Sequence, residues 1–186
     1  MRVIGGSAKG QRLTSLPGDH TRPTLDRIKE AMFSMIQLYL YDAKVLDLFS
    51  GSGALGIEAL SRGAKECYFA DDDRGSIRVI KENLGKTKFT SNSKVFLMDF
   101  SRALETFRRE KIFFDLIFLD PPYGKGLVEE ALGIIEKEGL LAPEGLVVVE
   151  QDKKELLRIS DQCFLLWKEK KYGNTIVRIL KRKTDQ

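Results

Sequence analysis

The sequence predicts an α/β fold. It has a mostly parallel seven-stranded sheet with helices on both faces, an antiparallel C-terminal strand and a small N-terminal β-hairpin. Three observations predict it. Strand-like and helix-like runs alternate from Lys44 to Glu150 at the spacing of βα units. Runs such as DLIFLD and GLVVVE are apolar throughout, as parallel strands covered on both faces are. Near the C-terminus two β-rich runs, CFLLWKEKKY and NTIVRILKR, meet at Gly173-Asn174, a hairpin-turn pair.

Taken in order, RVI and QRL flank GGSAKG and form the hairpin of residues 1–13, followed by a polar loop through Pro23. A helix is expected from Thr24, its N-cap, through TLDRIKEAMFSMIQLYL, because Leu25, Ile28, Met32, Met35 and Ile36 share one face. Strands are expected at 44–49, 66–70, 94–97, 115–119 and 145–150. Helices are expected at 55–62, 74–86, 100–109 and 127–138, with a weaker one at Lys154–Ile159. The domain reading is an extension, residues 1–23, ahead of one domain, residues 24–186.

Composition narrows the function classes. The 186 residues are 42% hydrophobic and 31% charged, ordinary for a globular chain. No apolar run approaches a membrane span, and MRVIGGSAKGQR has no secretory h-region. Cys67 and Cys163 are isolated, which fits a reducing cytoplasm and no metal-ligand spacing; His20 reads as a solvated loop side chain. The net charge of +4 is compatible with nucleic acid. Its cations gather at the two ends: Arg2, Lys9, Arg12, Arg22, Arg27 and Lys29, then Lys168, Lys170, Lys171, Arg178, Lys181, Arg182 and Lys183.

Two motifs carry chemistry. VLDLFSGSGALGIEAL sets Gly51-x-Gly53-x-x-Gly56 between a strand and a helix, a turn that lets backbone approach a ligand. An acid about 20 positions on, at the end of the next strand, would hold ribose hydroxyls; Asp71 stands there, followed by Asp72 and Asp73. A nucleoside-bearing cofactor follows. Asp47, just before the glycines, would repel a pyrophosphate and suits a cationic amino group, so S-adenosylmethionine is favoured over a nicotinamide dinucleotide. The second motif is LDPPYGKG. Pro121 and Pro122 offer only carbonyl acceptors, Asp120 when ionised is acceptor-only, and Tyr123 adds an aromatic ring. Such a corner suits an amino group on a flat ring.

Together, D-x-F-x-G-x-G, the acid ending the second strand and DPPY resemble the class I S-adenosylmethionine-dependent methyltransferases that modify exocyclic amines. RVIGG…KGQRL, RPTLDRIKEAMFSM and DLFSGSGALGIEALSRGA extend the resemblance over the whole chain to the bacterial RsmD family. That resemblance implies a Rossmann-like methyltransferase domain that methylates N2 of a guanine in 16S rRNA, within a small ribosomal subunit or its assembly intermediate, in the cytoplasm and without a metal. It implies Asp47, Ser50, Gly51 and Gly53, with Phe49, on the methionine and ribose side. It implies an acid of the Asp71-Asp72-Asp73 run at the ribose, alignment favouring Asp71, and Asp99 at the adenine. Asp120, Pro121 and Tyr123 would hold the target base. Arg22 and Thr24 would lie near cofactor or RNA, and Lys9, Arg12 and Arg27 would serve the RNA. Asp72 stands where the family usually has an apolar residue, and Tyr123 where it often has Phe. Two other readings compete. An amino-methyltransferase for DNA adenine or a protein glutamine more often has Asn at position 120 and a separate recognition domain. A non-enzymatic RNA- or nucleotide-binding module would leave Asp-Pro-Pro-Tyr unused.

Overall fold

The computed structural model describes residues 1–16, 23–159 and 163–183, without the side chains of residues 23–25. His20 and Arg22 lie outside the described residues, as does the side chain of Thr24. The element order is α1 (Pro23–Met35), a 3-10 turn (Gln37–Tyr39), β1 (Lys44–Asp47), α2 (Ala54–Ser61), β2 (Glu66–Asp71), α3 (Arg74–Thr87), β3 (Ser93–Leu97) and α4 (Phe100–Arg109). It continues with β4 (Phe114–Leu119), α5 (Leu127–Glu138), β5 (Leu141–Asp152), β6 (Phe164–Tyr172) and β7 (Thr175–Arg182). All seven strands form one sheet in the order β3-β2-β1-β4-β5-β7-β6. β1 to β5 pair in parallel, and β7 runs antiparallel to both of its neighbours. Among the described residues no helix is long and apolar enough to cross a membrane.

The central strands β1, β2, β4 and β5 bury side chains on both faces, which is why they read as apolar runs. One face packs α1, α2 and α3 through Phe33, Ile57, Phe69, Phe118 and Val148. The other packs α4 and α5 through Leu104, Phe107, Ile117, Leu132 and Val149. There Tyr68 meets Phe107 and Phe114 edge-on, at 5.6 and 5.3 Å between ring centres, the favoured aromatic geometry.

Three expectations need correction. The first helix ends at Met35, and Gln37–Tyr39 tightens into a 3-10 turn, which leaves Leu38 in solvent and turns Leu40 into the core. Lys154–Ile159 is not a helix. The Asp152 side chain accepts from Lys154 N–H (2.9 Å) and its carbonyl from Glu155 N–H (3.0 Å), so the backbone turns instead. Leu156 is left exposed, while Leu157 and Ile159 pack against the core from this turn. The N-terminal hairpin is reduced to one bridge, Arg2 with Arg12, flanked by cross-strand bonds from Val3 N–H to the Gln11 carbonyl and from Leu13 N–H to the Met1 carbonyl at 3.0 Å each, while Ile4, Gly5, Ser7 and Ala8 donate to α2.

That attachment is specific. Glu58, fully buried in α2, accepts from the N–H groups of Ile4 and Gly5 at 2.8 Å each. It pairs with Lys29 of α1 at 3.2 Å and Arg62 at 2.8 Å. Lys29 also donates to the Arg2 carbonyl at 2.6 Å. Burial pulls the Lys29 ammonium below its ordinary value, and Glu58 opposes that shift. Ser7 N–H donates to the Ser61 carbonyl at 2.7 Å. A side chain at Gly6 (φ +76°) would stand 1.7 Å from that oxygen, so only glycine fits.

Removing one partner of a buried ion pair costs about 3–5 kcal/mol, because the other charge is left without compensation. Glu58→Ala is therefore expected to lower the melting temperature by roughly 10 °C for a chain of this size. Glu82→Ala, at an exposed pair on α3, should change it little; calorimetry of both variants makes the comparison.

Candidate active site

The order β1-β4 against β1-β2 makes a topological switch point, where the crossovers leave in opposite directions. A cavity of about 660 Å³ opens there, at the carboxyl ends of the strands. Its size is that of a small-molecule site. Phe49, Gly51, Asp71, Asp72, Asp99, Asp120, Pro121 and Tyr123 line it, all of them singled out from the sequence. Leu16, Leu48, Ser76, Met98, Phe100, Pro122, Lys125 and Leu127 complete the wall.

Asp47, Ser50 and Gly53 do not line the cavity; they shape the loop that does. Asp47 is 2% exposed, and its carboxylate accepts from Gly56 N–H at 2.9 Å, tying the end of β1 to the first turn of α2. Ser50 donates to the carbonyls of Asp47 (2.6 Å) and Ala70 (3.2 Å), between β1 and β2. Gly53 starts α2 at φ +78°. A Cβ on Gly56 would lie 2.3 Å from the Phe69 ring, so glycine lets α2 press onto β2.

The three successive aspartates have separate duties. Asp71 accepts from Gly51 N–H (2.8 Å) and Asp73 N–H (3.0 Å), one per oxygen. A carboxylate has about four acceptor positions, so Asp71 retains capacity for a ligand hydroxyl. Asp73 caps α3 by accepting from Ser76 N–H at 2.7 Å. Asp72 is exposed on the cavity wall. Asp99 caps α4, accepting from the N–H groups of Ser101 and Arg102 at 3.1 Å, and these bonds with the Ser101 hydroxyl hold its carboxyl below the usual range. Phe49 and Phe100, 5.3 Å between ring centres, give the cavity an aromatic side.

Asn83 was invisible in the sequence, and no motif marks it. Fully buried in α3, it donates to the carbonyls of Thr14 and Ser52 at 2.9 Å and accepts from Thr14 N–H at 2.7 Å. It thereby fastens the N-terminal segment to the glycine loop and sets Leu16 in the wall. Lys9, Arg12 and Arg27 are exposed and outside the cavity. Arg2 pairs with Asp26 at 3.3 Å, and Lys29 is spent on Glu58.

At the other end, the Asp-Pro-Pro-Tyr loop is strapped to β5 and β7. The Tyr123 phenol, hydrogen-bonded to the Thr175 side chain, is pushed up to about 12 by burial and by Glu150 and Asp120, so it stays neutral. Its ring is 46% exposed. Gly124 N–H donates to Glu155, whose carboxylate also accepts from buried Gln151 at 3.3 Å. Leu119 pairs with Val149, so Asp120 and Glu150 follow side by side. Burial, and then Asp120, push the Glu150 carboxyl up to about 8, leaving it protonated at neutral pH.

The wall fits a nucleoside ligand with a cationic tail. It offers aspartates to hydroxyl and amino groups and apolar rings to a flat base. Lys125, its single cation, stands beyond the Asp-Pro-Pro-Tyr loop, away from the glycines, so no described side chain there would neutralise a pyrophosphate.

The family profile described as "Conserved hypothetical protein 95" matches residues 1–181. The chain is 40% identical over 183 residues to "Putative rRNA methyltransferase YlbH" of Bacillus subtilis, covering 98% of this chain and 100% of that protein. It is 34% identical over 182 residues to "Ribosomal RNA small subunit methyltransferase D" of Escherichia coli, covering 98% and 90%. Among solved structures, "Putative methyltransferase yhhF" of Escherichia coli superposes with a TM-score of 0.85 at 31% identity, covering 98% of each chain.

Burial pushes the Asp47 carboxyl up to about 7, with Asp120 and Asp71 adding to it and the Gly56 N–H opposing. The folded chain keeps this proton to about pH 7, while the unfolded chain releases it near about pH 4. The group's contribution to stability therefore falls as pH rises from 4 to 7. Asp47→Asn keeps an acceptor for Gly56. Its melting temperature relative to wild type should climb over that window and level off above it; parallel pH profiles would show the carboxyl to be ionised throughout.

Proposed function

The chain belongs to the Conserved hypothetical protein 95 family, the RsmD family, and from that premise we propose that it methylates the exocyclic N2 amine of a guanine in 16S rRNA, using S-adenosylmethionine. One observation carries the reading. Asp120, Pro121 and Tyr123 stand on the wall of the same cavity that Gly51, Asp71 and Phe49 line, so an amino group held by the first set faces a ligand held by the second.

S-adenosylmethionine, when bound, supplies an electrophilic methyl group. Asp71 holds the ribose hydroxyls, Asp99 and the Phe49–Phe100 side take the adenine, and Asp72 stands beside them as a further acceptor. Asp47 acts through the loop, by fixing Gly56 and so the start of α2.

The target amine is a poor nucleophile because its lone pair is delocalised into the purine. Asp120 and the Pro121 carbonyl accept its two N–H bonds, which orients the nitrogen and raises its electron density. The half-exposed Tyr123 ring stacks on the base, which must leave its own stack to arrive there. Asp120 then takes the proton that the alkylated amine releases and returns it to solvent at the open edge. Glu150, protonated beneath it, adds no second negative charge.

Residues 1–23 act as an RNA-capturing extension on the methyltransferase domain of residues 24–186, with Lys9 and Arg12, and Arg27 of α1 beside them, contacting the strand. Their attachment to α2 supports this, because whatever binds the extension pulls on the helix that begins at the glycine loop. The substrate is the rRNA within a small subunit or its assembly intermediate, and the enzyme works in the cytoplasm.

The test is transfer of labelled methyl to unmethylated 16S rRNA, to small subunits and to DNA, followed by nucleoside digestion. N2-methylguanosine from the rRNA or the subunit is expected; methyladenine from DNA, or label in protein, would replace the substrate assignment. Asp120→Ala should cut the rate by about 10²–10³-fold, the range seen when one preorganised polar contact is removed. Calorimetry should find its affinity for S-adenosylmethionine within about twofold of wild type. Loss of that affinity would move Asp120 to the cofactor.

A further inference from the structure

We propose that five lysines around the Asp-Pro-Pro-Tyr loop, Lys125, Lys153, Lys154, Lys170 and Lys171, form a second RNA surface that grips the phosphates flanking the target nucleotide. The inference rests on the RNA reading above and names the surface that serves it.

Strand direction places these residues together. β7 is antiparallel to both β5 and β6, so β6 runs the same way as β1 to β5 and ends with Lys170 and Lys171 at the carboxyl edge. Lys153 and Lys154 follow β5 at that edge, and Lys125 lies in the cavity wall. Three bonds make one piece of these segments. Lys153 N–H donates to the Asn174 carbonyl at 2.8 Å, Tyr123 bonds to Thr175, and Gly124 N–H bonds to Glu155. A strand whose base is held by Tyr123 must therefore pass over this rim.

The cations on β6 and β7 divide by what they already touch. Lys168 lies over the Trp167 ring at 3.9 Å and donates to the Met35 carbonyl. Lys181 lies over the same ring at 4.3 Å. Arg178 joins Glu169 to Gln151, and Arg182 bonds to the Leu141 carbonyl. These hold the edge strand to the body. The rim lysines are all exposed; Lys171 meets Glu169 only at 3.9 Å, with 69% of its side chain in solvent.

The acids among them already have partners, and the exposed Glu169 pairs with Arg178 at 2.9 Å. Glu155 is engaged by Gly124 and Gln151, and Asp152 by Lys154 N–H. The outer layer is thus positive, complementary to phosphate, around a polar floor that suits a base edge. The extension is tied to α2 and α3, on the β1–β3 side of the cavity, while the rim is on the β4–β6 side. The two basic surfaces therefore bracket the target pocket.

The test is equilibrium binding of an unmodified 16S rRNA transcript, read by filter retention across a salt series. The proteins are wild type, Lys153→Glu/Lys154→Glu, Lys170→Glu/Lys171→Glu and the control Lys137→Glu, a lysine 81% exposed on α5. Each pair is expected to weaken binding roughly tenfold and to lower the log–log salt slope by about 1.4, at about 0.7 per phosphate contact on a single strand. The control should match wild type, and S-adenosylmethionine affinity should be unchanged in all. Should a reversal pair lower the melting temperature, Lys170→Ala/Lys171→Ala replaces it, with the same slope change expected and a smaller loss of affinity. Wild-type affinity and slope in both pairs overturn the proposal. So does normal transcript binding with lost transfer to small subunits, which would assign the rim to a protein. Transfer by wild type, scored in parallel, separates the two readings: a rim that binds RNA in an enzyme that methylates another acceptor removes the guanine and keeps the surface.

Discussion

Glu58 holds more of this molecule in register than any residue that faces the cavity. Its carboxylate is fully buried, yet it is met by two backbone N–H groups, an ammonium and a guanidinium from three separate segments. A buried charge with that many partners has few other arrangements open to it, so it fixes geometry more than it adds stability. It sits one turn into α2, the helix that starts at the glycine loop. The extension, α1 and the loop are therefore referred to one point. Asn83 repeats the arrangement from α3, with Thr14 on one side and Ser52 on the other. The N-terminal segment is thus built into the site wall rather than appended to it.

The acids near the cavity show how one residue type is allocated by neighbours. Asp47 and Asp73 spend their oxygens on backbone N–H groups; Asp71 and Asp99 do the same and still reach the wall; Asp72 and Asp120 face it. Burial is the largest influence on the Asp47 and Glu150 carboxyls, and Asp120 raises both further. A row of carboxyls at the ends of β1, β4 and β5 is tolerable because two of the three can hold a proton near neutral pH.

The strand–helix alternation was legible because its signal is local: apolar runs of strand length between glycines and caps. The helices at 74, 100 and 127 begin where they were expected, each behind a cap residue, Asp73, Asp99 and Gly126. The cavity wall was half legible. Residues at strand ends and in the two motifs could be located by position alone, whereas Leu16 reaches the wall through tertiary placement that no spacing encodes. The failed helix at 154–159 had acceptable propensities, but Asp152 offered its backbone a closer partner than the next turn. Nothing in GIEALS marks Glu58; only the arrival of residues 4 and 5 from far along the chain makes it central.

The inverted strand β7 has a consequence for the order of events in synthesis. Thr175 and Asn174, which anchor the Asp-Pro-Pro-Tyr loop and the end of β5, belong to the β6–β7 hairpin, which is synthesised after β1 to β5. The glycine loop, its aspartates and the extension are all encoded before residue 100 and can assemble on β1 to β3 first. The cofactor half of the site is thus available to a nascent chain, while the half that would take the base has no support until the C-terminal hairpin docks. A chain without that hairpin would hold a methyl donor with no acceptor pocket of fixed shape, so competence on RNA depends on β6 and β7.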